Sequence, residues 1–524
     1  MCGGRTILLT FAFCLLTFDF AFPQPQFLTY RSPLDGTDQP YALYLPKALG
    51  ARTPLVVALH GEESNQRLML RRVFGRGNRP GETDLEATRF IPRLPEVDFI
   101  VACPFIRGGW EYVGFAENEL EAMLAEVYRR YAIDEDRVYL TGVSKGASGA
   151  LWLALTHPDR WAAVALVCPL PSPAAEALAS NAGPLSFRLF HGEDDRYVPA
   201  ASSRAWHKRL VDQGTPVEYI EYPDVRHNAW DLAFRDAQIF EWFARHTRER
   251  RPERVRFLSA SYRYASAWWV KLDALRPGTL AWIDARSTGE NRLEVTTRDL
   301  DAFTLNLSPL TLVVDGAALR PKQQPSLTKV QGQWKLTHFT PQPGAKRTGL
   351  EGPLEAAVAA RHVYIYGSGR EDLRQQAQEA ARWSTPRVRL SVALRILSDL
   401  EEPGEANMIL FGNRENNRAI ARLAPRLPLE LNPSAADYGL VFIYPVDGRY
   451  VVVNSGLKWW AGAEPAEPPF RTLSRFGDFA LFKGSIENIV CEGRFDANWK
   501  LPPAKAAEMA ATGAVTVREV SVVH

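Results

Sequence analysis

The sequence predicts an α/β chain: a doubly wound sheet, then a small β-sandwich-like region, then a C-terminal α/β region. Three observations carry that expectation. Runs such as Pro54-Leu-Val-Val-Ala-Leu59 and Ala163-Val-Ala-Leu-Val167 are apolar throughout, without the alternation of a half-exposed strand, and so suit a mostly parallel sheet covered on both faces. They alternate with helical periodicity as far as about His246, the spacing of βαβ units. Past the charged connector Arg248-Glu-Arg-Arg-Pro-Glu253, short strands are parted by Arg-Pro-Gly, Ser-Thr-Gly-Glu-Asn and Asp-Gly turns, the pattern of a small sandwich.

The chain has 524 residues, enough for several domains. With 62 basic against 60 acidic residues the net charge is +2, so no field draws the chain to nucleic acid, which is set aside as a partner. One positive charge at Arg5 precedes the apolar run Thr6–Phe18, which Asp19 breaks. That run is short for a bilayer and reads as a secretory signal over residues 1–23, with an uncleaved N-terminal anchor as the alternative. The expected location is secreted or periplasmic, with no membrane span in the mature chain. Expected units follow at 24–248, 253–345 and 346–524. Outside the signal, Cys103, Cys168 and Cys491 are too few and too scattered for a disulfide framework or a zinc site, and Cys103 and Cys168 read as small buried hydrophobes.

In order along the chain, Phe27 to Tyr44 reads as a hairpin turning at Asp35-Gly36, and Pro54–Leu59 is a buried strand ending in His60-Gly61. A loop of mixed charge leads to the strand Asp98–Pro104. After Gly108-Gly-Trp110 a helix runs from about Ala116 to Tyr131, with Leu120, Met123, Leu124 and Val127 on one face. Strands are expected over Trp161–Cys168, Ser186–Gly192 and Pro216–Tyr222, and helices over Ala200–Gln213 and Ala229–His246. In the last region, strands such as His362–Gly367 and Asn407–Gly412 each precede a polar helical run. Gly367-Ser-Gly369 lacks the third glycine of a phosphate fingerprint and reads as an ordinary strand-to-helix turn. Tyr262, Tyr264, Trp268 and Trp269 read as core, with a platform for stacking sugar rings as the alternative.

The chain is organised around Arg137-Val-Tyr-Leu-Thr-Gly-Val-Ser-Lys-Gly-Ala-Ser-Gly-Ala150, a strand, a sharp turn and a helix. The turn that lifts a serine hydroxyl above a sheet is strained, and Gly142 and Gly146 remove the collisions that side chains would make there. A serine needs a base within hydrogen-bond reach and an acid to orient that base. Of the nine histidines, only His227 lies in a loop after a strand and downstream of both Ser144 and the acids. Within His191-Gly-Glu-Asp-Asp-Arg-Tyr-Val-Pro199 the chosen acid is Asp195, with Asp194 the rival. Backbone N–H groups of Glu62 and Lys145 are placed to form an oxyanion hole. Arg107, Trp110 and Tyr112, just past a strand end, are candidates to line the substrate pocket, with a packed loop as the alternative. No metal and no organic cofactor is expected.

The motifs Leu55–Gly61, Asp136–Gly146, His191–Pro199 and Tyr222–Trp230, in that order, resemble those of the α/β-hydrolase superfamily. Within it they are similar to the prolyl oligopeptidase-like catalytic domains and to secreted feruloyl esterases and polyhydroxybutyrate depolymerases. The resemblance covers about Phe27 to Arg245. It departs at Lys145, where the group usually has an apolar residue, and at Ala147, where it usually has glycine. It implies a serine hydrolase acting on a small ester, an acylated polysaccharide or a peptide, and a carboxylesterase is expected over a peptidase because no β-propeller precedes the domain. A non-catalytic glycan-binding or scaffold protein is the expectation of another class.

Overall fold

The computed structural model describes residues 25–109, 111–289, 291–385 and 390–520; the expected signal segment lies outside them. Eight strands form the first sheet, in the order β1-β2-β4-β3-β5-β6-β7-β8. They are β1 (Gln26–Arg31), β2 (Asp38–Tyr44), β3 (Thr53–Leu59), β4 (Ile100–Pro104), β5 (Ile133–Val143), β6 (Ala163–Val167), β7 (Ser186–Gly192) and β8 (Val217–Tyr222). β2 pairs antiparallel with β1 and β4, and every other pairing is parallel. β3, β4 and β6 bury every residue, which accounts for their unbroken apolar runs.

Helices Phe115–Arg130, Lys145–Thr156 and Ala201–Asp212 fall where the sequence places them. Two stretches differ from expectation. The mixed-charge loop after β3 contains helices Gln66–Val73 and Asp84–Arg89, the first capped by Asn65 and the second by a capping box between Thr83 and Glu86. Their polarity misleads because Arg71 and Arg72 are buried, paired with Glu82 at 2.5 Å and Asp84 at 3.0 Å. The helix expected over Ala229–His246 is instead two pieces, Trp230–Ala233 and Gln238–Phe243, separated by Asp236 and Ala237 at φ 52° and 60°. At about 3.6 residues per turn, one straight helix would spread Ala233, Phe234, Ile239, Phe240, Trp242 and Phe243 around its whole circumference. The break lets all six be buried.

Between Arg254 and Leu336 two five-stranded sheets enclose a separate core that includes Phe257, Trp269, Phe303 and Trp334. Of the aromatic run, Trp269 is buried in that core, Tyr262 and Trp268 pack against it, and Tyr264 lies at a joint between units. Tyr264 Oη donates to Glu117 at 2.6 Å and Trp268 Nε1 to the Glu249 carbonyl at 3.0 Å.

The C-terminal region is a seven-stranded mixed sheet. Arg395–Ser398, His362–Tyr366, Asn407–Phe411 and Arg449–Gly456 run parallel, and Tyr438–Val446, Phe479–Lys483 and Ser485–Gly493 add antiparallel strands. At the Gly367-Ser-Gly369 turn, the Ser368 and Arg418 N–H groups both donate to Asp399, at 2.9 and 2.6 Å. An internal carboxylate thus takes the N–H groups that a phosphate would need. No helix among the described residues is long and apolar enough to cross a membrane.

The helix Phe115–Arg130 joins these units. Its Glu119 accepts from Arg107, which also pairs with Asp35 at 2.9 Å and donates to the Ser391 carbonyl of the C-terminal region. Burial works to raise the Asp35 pKa, but bonds from Arg107, the Ala393 N–H and Thr37 hold it well below the usual carboxylate range. Arg107→Met strands two buried carboxylates and should lower stability by about 3–5 kcal/mol at neutral pH, read by chemical denaturation. Because the folded-state pKa of Asp35 is depressed, the pair's contribution is full above the unfolded carboxylate range and is lost as pH falls. The gap between parent and variant should therefore narrow in acid; a gap that is constant with pH would rule out the charge pairing as its cause.

Candidate active site

β5 runs into Ser144, whose φ is 53°, and the next helix begins at Lys145. Such a backbone is strained for a residue with a side chain, and the surroundings fix it. A Cβ on Gly142 would strike the Gly146 backbone, one on Gly146 would strike the Leu59 and His60 carbonyls, and the Ser144 N–H donates to the Val167 carbonyl at 2.8 Å. The turn is clamped between β3 and β6. As the first residue of its helix, Lys145 has an N–H with no intrahelical acceptor.

The Ser144 hydroxyl lies 3.0 Å from His227 Nε2, and His227 Nδ1 lies 2.6 Å from Asp195 Oδ2. Asp195 Oδ1 accepts the N–H groups of Tyr197 and Val198, both at 2.9 Å. Burial pushes the Asp195 pKa up, but the Val198 N–H and His227 outweigh it and hold the carboxyl below its ordinary value. The rival Asp194 is exposed, its N–H spent on the Val225 carbonyl. Behind the acid is a residue that the sequence reading passed over. His191 is fully buried, with Nε2 donating to the Val198 carbonyl at 2.9 Å and Nδ1 accepting from the Ser203 hydroxyl at 2.7 Å. Burial lowers its pKa, so it stands neutral 3.3 Å from Asp195. Its signal in the sequence was its place at a strand end beside Gly192, where a Cβ would meet the Val225 and Arg226 carbonyls.

Cys168, also buried, completes a set with His191 and Asp195 whose potential ligand atoms lie within 4.8 Å of one another. The bonds of His191 to Ser203 and Val198, and of Asp195 to His227, already engage that set. Burial pushes the Cys168 thiol well above its ordinary pKa, as expected of an inert small hydrophobe.

Glu62 and Lys145 both flank Ser144, and their side chains form an ion pair, Nζ to Oε1, at 2.5 Å. His60 is buried between the Gly61 and Phe105 carbonyls. The three pocket candidates fare differently. Arg107 is no pocket residue, because Asp35 and Glu119 draw its guanidinium into the interior. Tyr112 is none either: it is fully buried, its ring against Gly149 and its hydroxyl donating to the His60 carbonyl at 2.8 Å. Trp110 lies outside the described residues.

Ser144 opens instead on a cavity of about 1840 Å³ whose walls come from all three regions. Leu170, Tyr197 and Trp230 line it near His227, Arg263 and Tyr264 enter from the sandwich, and Glu351, Glu355 and Tyr450 from the C-terminal sheet. None of these was singled out as a pocket residue from sequence.

Residues 35–240 match the Esterase family model, described as "Putative esterase". A search of curated proteins gives no match. Among solved structures, a thermostable esterase is 22% identical with a TM-score of 0.34 over 43% of this chain and 63% of its own, so this chain spans less than two thirds of it. A ferulic acid esterase from Anaeromyces mucronatus is 18% identical, with a TM-score of 0.34 over 42% of this chain and 91% of its own. An S-formylglutathione hydrolase from Agrobacterium tumefaciens is 15% identical, with a TM-score of 0.34 over 42% and 94%. The first region has the α/β-hydrolase fold, and its residues 35–240 are similar to that esterase family.

Asp195→Asn should lower ester turnover by about 10⁴-fold, and Asp194→Asn by less than about tenfold. Steady-state kinetics showing the reverse order would reassign the acid. Lys145→Met removes a partly exposed ion pair and should change kcat by no more than about fivefold, since such pairs contribute about 0–1 kcal/mol.

Proposed function

We propose that this chain, a hydrolase whose residues 35–240 match an esterase family, is a secreted carboxylesterase working through Ser144, His227 and Asp195. The observation that carries the reading is the unbroken line of hydrogen bonds from Ser144 through His227 to Asp195. In that line His227 Nε2 accepts the Ser144 proton as the oxygen attacks the ester carbonyl, and Asp195, bonded to Nδ1, stabilises the imidazolium that results. The N–H groups of Glu62 and Lys145 face the oxyanion. His227 then passes its proton to the departing alcohol, leaving an acyl group on Ser144. Water, deprotonated by the same imidazole, releases the acid. Each step is carried by groups of the chain itself. The apolar run Thr6–Phe18 supports export. The size of the cavity favours a bulky acyl or alcohol portion, such as that of an acylated polysaccharide, over a minimal ester.

The parent should be labelled by a fluorophosphonate probe and hydrolyse a short-chain nitrophenyl ester, and Ser144→Ala should lose the label and keep at most about 10³–10⁴-fold over water. Equal labelling of Ser144→Ala would remove the serine from the mechanism. A folded parent that takes no label would favour a non-catalytic scaffold, and faster cleavage of prolyl peptides than of feruloyl or acetyl esters would make the chain a peptidase.

A further inference from the structure

Most charges that line the cavity are paired; among the described residues the exceptions are the exposed Glu63 and, on the C-terminal wall, Arg494 and Glu355. Lys145 is held by Glu62, Arg72 by Asp84, and Arg263 by Glu117. Glu351 accepts from the Ser261 hydroxyl and from the N–H groups of Tyr262 and Arg263. Glu111 pairs with Arg471 at 2.9 Å. Arg494, beside Lys346 and Asp478, has no ion pair among the described residues. Glu355 also lines the cavity, beside Gly114, and has no hydrogen bond or ion pair among the described residues.

Glu355 is half-buried, and a carboxylate partly withdrawn from water without a partner is unfavourable unless a ligand supplies one. Burial raises the Glu355 pKa and the nearby Glu111 raises it further, with Arg471 opposing. Arg471 is one cation beside two carboxylates and is bonded to Glu111 at 2.9 Å, while Glu467 is held by Arg475 at 2.7 Å. The local excess is negative, and it is open to the same cavity as Ser144.

We propose that Glu355, seconded by Glu111, is a subsite for an organic ammonium group, so that the substrates of this site carry a primary amine on the part that reaches the C-terminal wall. The substrate class rests on the serine-hydrolase reading; the amine subsite itself does not. The C-terminal region is then a specificity element, recognising a charge at a distance from the bond that Ser144 attacks. Arg494, on the same wall, forms no ion pair with Glu355 and leaves that position free for the amine.

The test is calorimetric, on Ser144→Ala protein, with a series of n-alkylammonium ions and the n-alkanols of equal length as neutral references. At one chain length the ammonium should bind about tenfold more tightly than the alcohol. Glu355→Gln should abolish that difference, and Glu355→Lys should reverse it in favour of alkanoates. Glu63→Gln, which removes an exposed carboxylate at the same cavity, should leave it intact. Equal binding of amine and alcohol at every length, or a preference that survives Glu355→Gln, overturns the subsite. Fluorophosphonate labelling of the parent separates the two ideas: loss of label defeats the hydrolase reading, whereas amine binding stands or falls on calorimetry alone.

Discussion

Two carboxylates two residues apart on one helix, Glu117 and Glu119, hold the architecture together, and both are fully buried. Glu119 collects Arg107, and through it the β1–β2 turn and residue Ser391. Glu117 collects Arg263 at 3.0 Å, Tyr264 at 2.6 Å and His157 at 3.4 Å, which ties the sandwich joint to the end of the helix that Ser144 begins. Burying two carboxylates is favourable only where every charge finds a partner, so the positions of three regions are specified by the need to satisfy one helix turn. The active-site cavity is the space that this junction leaves.

The elbow shows the same logic at shorter range. Ser144 holds a left-handed backbone because β3 presses on Gly146 from one side and β6 accepts its N–H on the other. A strained residue persists only where its surroundings over-determine it. The acid loop is fixed likewise: Gly192 lets the His227 loop pass against it, two N–H groups hold one oxygen of Asp195, and the other is left for His227. The geometry that sets the Ser144 hydroxyl against His227 and Asp195 is therefore a property of the sheet.

This explains what was legible in the sequence. The order of strands, the elbow and the histidine and acid loops depend on neighbours in the chain or on adjacent strand ends, and apolar runs and glycines record them directly. Arg107 and Tyr112 were placed in the pocket because they follow a strand end, but Arg107 answers to Asp35 and Glu119, and Tyr112 fills the space that Gly149 leaves. The helices after β3 were hidden because their buried arginines read as solvent-facing. Thr83-Asp-Leu-Glu86 was a legible capping box. The cavity walls at Arg263, Glu351 and Glu355 had no local signal, since what makes them walls is packing between regions hundreds of residues apart.

The two added regions differ in how deeply they take part. The sandwich has a core of its own and touches the hydrolase unit through a small apolar contact at Leu258, Leu280 and Trp282 and through polar joints, among them Asn181, whose amide bonds both the N–H and the carbonyl of Leu258 at 2.8 and 2.9 Å. The C-terminal sheet instead shares a continuous apolar core with the hydrolase unit. Phe115 stands at the seam, its ring 5.3 Å from Trp383 and 6.1 Å from Phe470. Separating that seam would expose aromatic surface on both sides, at a cost of about 25 cal/mol per Å², and would open the far wall of the cavity in the same motion. Hydrophobic burial and closure of the cavity are thus one event here, so the C-terminal sheet belongs to the cavity beside Ser144 as much as to the fold.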